Sequence, residues 1–129
     1  LKCEFVPGAL EFLEKHYKKT KLYIISGTPQ NEIERIVDIR GLGKYFKGVY
    51  GSPTGKAFWA KKIIVQEKLN YETTIFIGDA MSDYNAAMKN KVKFVARIND
   101  DNKYIFESKS VYYKVYDLFE FDSLLTKEN

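Results

Sequence analysis

The chain has 129 residues, 45% hydrophobic and 16% aromatic, and a net charge of +4. That suits one domain with a real core and excludes a disordered composition; no run approaches a membrane span, and no signal-peptide pattern opens the chain. Cys3 is the only cysteine, which excludes an internal disulfide and fits a reducing, cytoplasmic compartment.

Pro7-Gly8 punctuates a short mixed opening. Residues 9–19 read as a helix with Leu10, Leu13 and Tyr17 on one face. His16, the sole histidine, falls within this Lys-rich pattern and reads as a solvated surface residue. Residues 22–25 form the first buried strand, which ends in the small polar turn Ser26-Gly27-Thr28-Pro29. A helix over 30–39 puts Ile33, Ile36 and Val37 in register, and Gly41 and Gly43 stop it. A short helical turn ends at Tyr45-Phe46, and Val49-Tyr50 is a brief strand.

Gly51 to Gly55 form a loop by their turn residues. Lys56 opens a helix that runs to about Leu69, with Trp59, Ile63 and Ile64 as its buried stripe. Residues 74–77 are a buried strand, and a helix over 82–89 buries Ala86, Ala87 or Met88. Residues 92–96 form another strand, 99–103 a polar, acidic loop, 111–115 an edge strand and 116–125 a closing helix. The lysine clusters at 18, 19 and 21 and at 89, 91 and 93 lack the aromatic-basic pattern of a nucleic-acid module and read as solvated helix ends and loops.

Alternating strands and helices predict an α/β, Rossmann-like, three-layer parallel sheet. The richest stretch is Thr74 to Asp83, a β-branched strand ended by Gly78 and followed by Asp79 and Asp83 at the start of a helix. Ligands of open α/β sheets bind at the carboxyl ends of the strands. Carboxylates four residues apart suit Mg2+, and also suit a helix N-cap with a first-turn acid. The parallel architecture gathers three loops at one edge: Ser26-Gly27-Thr28, residues 51–56 and residues 78–83. N–H groups and a hydroxyl for phosphate oxygens, an ammonium and two carboxylates together suit a phosphate beside a metal ion.

In this order, strand–Ser26, Lys56 at a helix start and Gly78-Asp79-x-x-x-Asp83 resemble motifs II, III and IV of the haloacid dehalogenase-like (HAD) hydrolases. The runs FVPGALEFLEKHYKKTKLYIISGTP and YFKGVYGSPTGKAFWAKKII resemble the branch related to phosphoglycolate phosphatase and β-phosphoglucomutase. The resemblance spans about residues 5–98. It implies that Ser26, Gly27, Thr28 and Lys56 bind the phosphate of a small phosphorylated substrate. It implies catalytic roles for Ser26 and Lys56 and Mg2+ ligation by Asp79, with Asp83 ligating the ion or orienting its water. Taken singly, Ser26 also reads as a helix-approach cap, Lys56 as a solvated first-turn lysine and Asp83 as a cap.

The family's motif I, a strand ending in Asp-x-Asp that carries the nucleophile and the acid/base, has no counterpart. Asp100-Asp101 lack the spacing and the strand, and in the segment from Phe119 to Thr126 Leu124 stands where the second aspartate belongs. The chain therefore resembles one HAD core domain that lacks motif I and the cap. The expectations are a weak, incomplete Mg2+ site and little or no phosphatase activity, since the covalent route has no nucleophile. Two further readings stay open: a non-catalytic domain that binds a phosphorylated ligand or a protein, and a fragment of a complete phosphatase. A receiver-like domain is disfavoured by Ser26 at its strand end. In the family the motif I strand lies between the Ser26 and Asp79 strands, so its absence leaves a gap there, and either those two strands pair directly or another segment fills the place. Its fillers would be residues 1–6, the 111–115 strand or a second chain, and the open edge leaves room for a homodimer.

Overall fold

The computed structural model describes residues 7–128. The elements in order are α1 (Ala9–His16), β1 (Tyr23–Pro29), α2 (Gln30–Ile39), β2 (Gly48–Ser52), α3 (Lys56–Gln66), β3 (Ile75–Gly78), α4 (Met81–Lys89), β4 (Lys93–Arg97), α5 (Lys103–Glu107), β5 (Tyr113–Val115) and α6 (Leu118–Glu128). The strands form two parallel sheets, β1-β2 and β3-β4-β5.

The core explains the layering. On β4, Phe94 and Ala96 pack into one apolar cluster with Ile64, Ala87 and Phe106, while Val95 faces another with Phe12, Val115, Phe121 and Leu124. Both faces of the strand are therefore covered by helices, as a parallel sheet requires. A third cluster joins Leu13 of α1 to Ile33, Val37, Leu42 and Tyr45 against β1 and β2. No helix among the described residues is long and apolar enough to cross a membrane.

The sheet is interrupted where the sequence predicts a gap. β1 pairs only with β2, and β3 only with β4, so among the described residues each keeps one unpaired edge. These edges belong to neighbouring strands, because Leu22, just ahead of β1, packs against both the Val95 and the Ile33 clusters. Burial follows the interruption. Every residue of β3 is only half-buried, as are Tyr23, Ile24 and Ile25, whereas Phe94, Val95 and Ala96 of β4 are fully buried. The 111–115 strand does not fill the gap: as β5 it pairs with the far side of β4. Residues 1–6, the other filler within this chain, lie outside the described residues.

Other expectations need correction. β1 extends through Ser26-Gly27-Thr28 to Pro29, with an irregular register against β2 between Ile25 and Pro29. α1 buries Phe12 and Leu13 and leaves Leu10 exposed. α3 ends at Gln66 and buries Ala60, not Trp59, beside Ile63 and Ile64. Trp59 instead stacks on Tyr50 and donates its indole N–H to Gly51 O at 2.9 Å. The expected acidic loop gives way at Lys103 to α5, which brings Phe106 into the core.

His16 is not a solvated residue. Its Nε2 lies 2.7 Å from Asp122 Oδ1, while Lys15 Nζ donates to Asp122 Oδ2 at 2.9 Å, which ties α1 to α6. The hydrogen bond with His16 and then that from Lys15 hold the Asp122 carboxyl below its usual range. A carboxyl lowered in the folded state contributes stability above its unfolded value, about 3.9. That contribution is lost as pH falls through the lower folded value. Asp122→Asn should therefore melt below the parent at pH 7, and the difference should shrink as pH falls below the unfolded carboxyl value and through the lower folded one. Thermal melts of both proteins across this range test it, and equal melting at pH 7 would remove the pair from the stability of the α1–α6 contact.

Candidate phosphate-handling edge

Three polar residues are buried among the described ones: Ser26, Asp83 and Asn102. All three serve the carboxyl-terminal edge of the strands, where burying a polar group requires a partner for it.

Ser26 lies in the last part of β1, and its Oγ accepts the Thr28 N–H at 3.0 Å where the register against β2 breaks. Gly27 is exposed there, and a Cβ placed on it would lie 3.9 Å from Cε of Lys56. Lys56 opens α3 and reaches across to α4, donating to Asp83 Oδ1 at 2.8 Å and Ser82 Oγ at 3.0 Å. The structure thus brings Ser26, Gly27, Thr28, Lys56 and Asp83 to one edge, drawn from both sheets. The lysine is more than a solvated first-turn residue, since its ammonium is largely covered and ion-paired.

Asp83 has two tasks already. Oδ1 takes the Lys56 ammonium and Oδ2 accepts the Ala80 N–H at 3.2 Å, which satisfies an amide at the start of α4. Gly78 makes room for it: a Cβ there would overlap the Asp83 side chain. Asp79 is exposed at the same strand end and joins no ion pair among the described residues.

This decides how well Mg2+ fits. The ion keeps several waters and takes one or two carboxylates, usually with substrate phosphate oxygens. Asp79 offers one carboxylate, while Asp83 already takes Lys56 on one oxygen and the Ala80 amide on the other and has only its remaining lone pairs to offer. No group of three His, Cys, Asp or Glu among the described residues could hold a metal. The fit is partial.

Two supports of this edge were not read from the sequence. Asn102 donates its Nδ2 to Asp79 O at 2.9 Å and to Arg97 O at 2.8 Å, while its Oδ1 accepts the Asn99 N–H. It fastens the Asp79 loop to the end of β4. Gln30 Nε2 donates to Val49 O and its Oε1 accepts the Gly51 N–H, tying the start of α2 to β2 beside the register break. The Asn99-Asp-Asp-Asn102 run signals a turn, but nothing in it points across 23 residues to Asp79.

Comparison with known proteins gives the family and the fold. A family model described as haloacid dehalogenase-like hydrolase matches residues 1–97. Among curated proteins none matches. The fold is similar to a haloacid dehalogenase-like hydrolase from Streptococcus pneumoniae, at 19% identity and a TM-score of 0.79, covering 92% of this chain and 59% of that one. It is similar to a candidate HAD hydrolase from Bacillus subtilis, described as bound to magnesium, at 18% identity and a TM-score of 0.80, covering 93% and 55%. It is also similar to the core domain of a candidate phosphoglycolate phosphatase from Streptococcus pneumoniae, at 19% identity and a TM-score of 0.71, covering 95% and 88%. The chain spans 59% and 55% of the length of these two hydrolases, and most of the isolated core domain.

Proposed function

Because the chain belongs to the haloacid dehalogenase-like hydrolases, we propose that its edge serves Mg2+-dependent hydrolysis of phosphate monoesters, and that these 129 residues alone turn over little or nothing. The observation that carries this reading is the convergence of Lys56 with Gly27 at the end of β1 on one side and Ser82 and Asp83 on the other. An ammonium held by a carboxylate beside a strand end suits a phosphoryl group that gains charge in the transition state.

The roles follow from position. Ser26 and the Gly27-Thr28 backbone take phosphate oxygens. Lys56 neutralises charge on the phosphoryl group, and Asp83 keeps its ammonium aimed at the edge. Asp79 is the carboxylate available to a metal ion, which when bound would supply Lewis-acid charge neutralisation at the phosphoryl oxygens. No described strand ends in the Asp-x-Asp pair that would provide the attacking carboxylate, and this underlies the expected inactivity.

The test is hydrolysis of an aryl phosphate by the purified chain with Mg2+, beside Asp79→Asn. The expected result is no turnover above the control. Turnover that Asp79→Asn abolishes would show that a nucleophile is present after all and overturn the inactive half of the reading. The same partial site supports a second reading, phosphoryl-ligand binding without chemistry. It predicts that inorganic phosphate raises the melting temperature of the parent and not of Lys56→Met.

A further inference from the structure

A groove of about 510 Å3 lies between α3, the 3-10 turn over Tyr71–Thr73 and the end of α4, apart from the phosphate-handling edge. Phe58, Lys61 and Val65 lie three and four residues apart along α3, so they share one face. Phe58 is 59% exposed, Val65 65% and Tyr71 52%. Exposed apolar groups in one place mark an interaction surface more often than single ones do.

The charge around them has one sign. Lys61, Lys89 and Lys91 line the groove, and none is in an ion pair among the described residues. The groove is also braced: Asn90 Nδ2 donates to Ala57 O at 3.1 Å and Ala86 O at 2.9 Å, stitching the end of α4 to the start of α3. A braced apolar face ringed by three ammoniums complements a segment with apolar side chains on one side and carboxylates beside them.

We infer that this groove docks an acidic amphipathic segment of a partner protein, its apolar side chains on Phe58, Val65 and Tyr71 and its carboxylates against Lys61, Lys89 and Lys91. This is helix-in-groove recognition with electrostatic complementarity. A second copy of the chain is the weaker occupant, because each copy carries a net charge of +4. A nucleic acid would use the lysines but leave Val65 and the aliphatic rim unmatched.

The probe is a fluorescent synthetic helix of about 15 residues, with Leu and Phe on one face and Glu on the other. Its controls are an acidic scramble without the apolar face, a version with Lys for Glu, and a single-stranded oligonucleotide. The expected result is salt-sensitive binding of the first peptide alone. Phe58→Ala should weaken it about 10- to 30-fold, and the pair Lys61→Glu, Lys91→Glu at least about tenfold. All three positions are exposed, and unchanged circular dichroism would verify the fold of the variants. Binding of the scramble or the oligonucleotide as tightly as the probe, binding unaffected by the variants, or no binding would each overturn the inference. So would sedimentation showing self-association of the parent that Phe58→Ala removes, which would assign the groove to a second copy. None of these readouts depends on phosphatase activity.

Discussion

Lys56→Met should destabilise the chain by about 3 kcal/mol, the low end for stranding one partner of a buried ion pair. Asp83 is 6% exposed and keeps its carboxylate beneath the end of β3. With Lys56 gone, the Ala80 amide is its remaining hydrogen-bond donor among the contacts described above. Asp83→Asn should cost less, about 1 kcal/mol, because the longer lysine side chain can turn its ammonium to water. The double variant should therefore fall short of the sum of the two by about 1–2 kcal/mol, the signature of groups that act as a pair. Urea denaturation of the four proteins measures this coupling. Additive costs would show that Lys56 and Asp83 are held in place independently and that Asp83 does not aim the ammonium.

The same pair shows how far the sequence can be read. Lys56 and Asp83 stand 27 residues apart, and the order of elements alone brings them to one edge, because each opens a helix that follows a parallel strand. α2 is legible to the residue, since Ile33 and Val37 repeat on one face and Gly41, with φ of 66°, provides the left-handed stop. β4 reads clearly because a strand covered on both faces is a continuous apolar run. What the sequence hides is whatever depends on a distant partner. His16 reads as solvated because no carboxylate stands three or four residues from it, whereas Asp122 lies 106 residues away. Asn102 reads only as part of a polar loop and Gln30 only as a helix start, because their work is done by side-chain hydrogen bonds to backbone in other segments. Trp59 sits at a helical position next to the core stripe, and its indole N–H draws it toward Gly51 and β2.

The interruption between β1 and β3 carries the second large prediction. Strand edges without a partner leave amides open to exchange and apolar side chains half-covered, and both strands show such half-burial here. Of the neighbouring amides Ile24 and Ile25 in β1, and Phe76 and Ile77 in β3, the one in each pair that points into the gap should exchange much faster than those of Phe94, Val95 and Ala96, although all lie in parallel strands. A short β-branched strand ending in Asp-x-Asp, fused ahead of residue 1 through a flexible Gly/Ser linker, should enter the gap parallel to both neighbours. The expected result is slower exchange in β1 and β3 and a melting temperature higher by about 10 °C, which for a chain of this size is about 2–3 kcal/mol. The same fusion with proline at the centre of the strand should give neither, because proline cannot donate to a ladder. Slow exchange of β1 and β3 in the unfused chain would mean that their inner edges are already paired, and the incomplete-sheet account would be wrong. If the fusion closes the sheet and also gains aryl phosphate turnover that Asp79→Asn removes, one strand supplies both what the fold and what the chemistry lack. If it closes the sheet without turnover, the missing strand is structural, and Ser26, Lys56 and Asp79 are better understood as a binding edge.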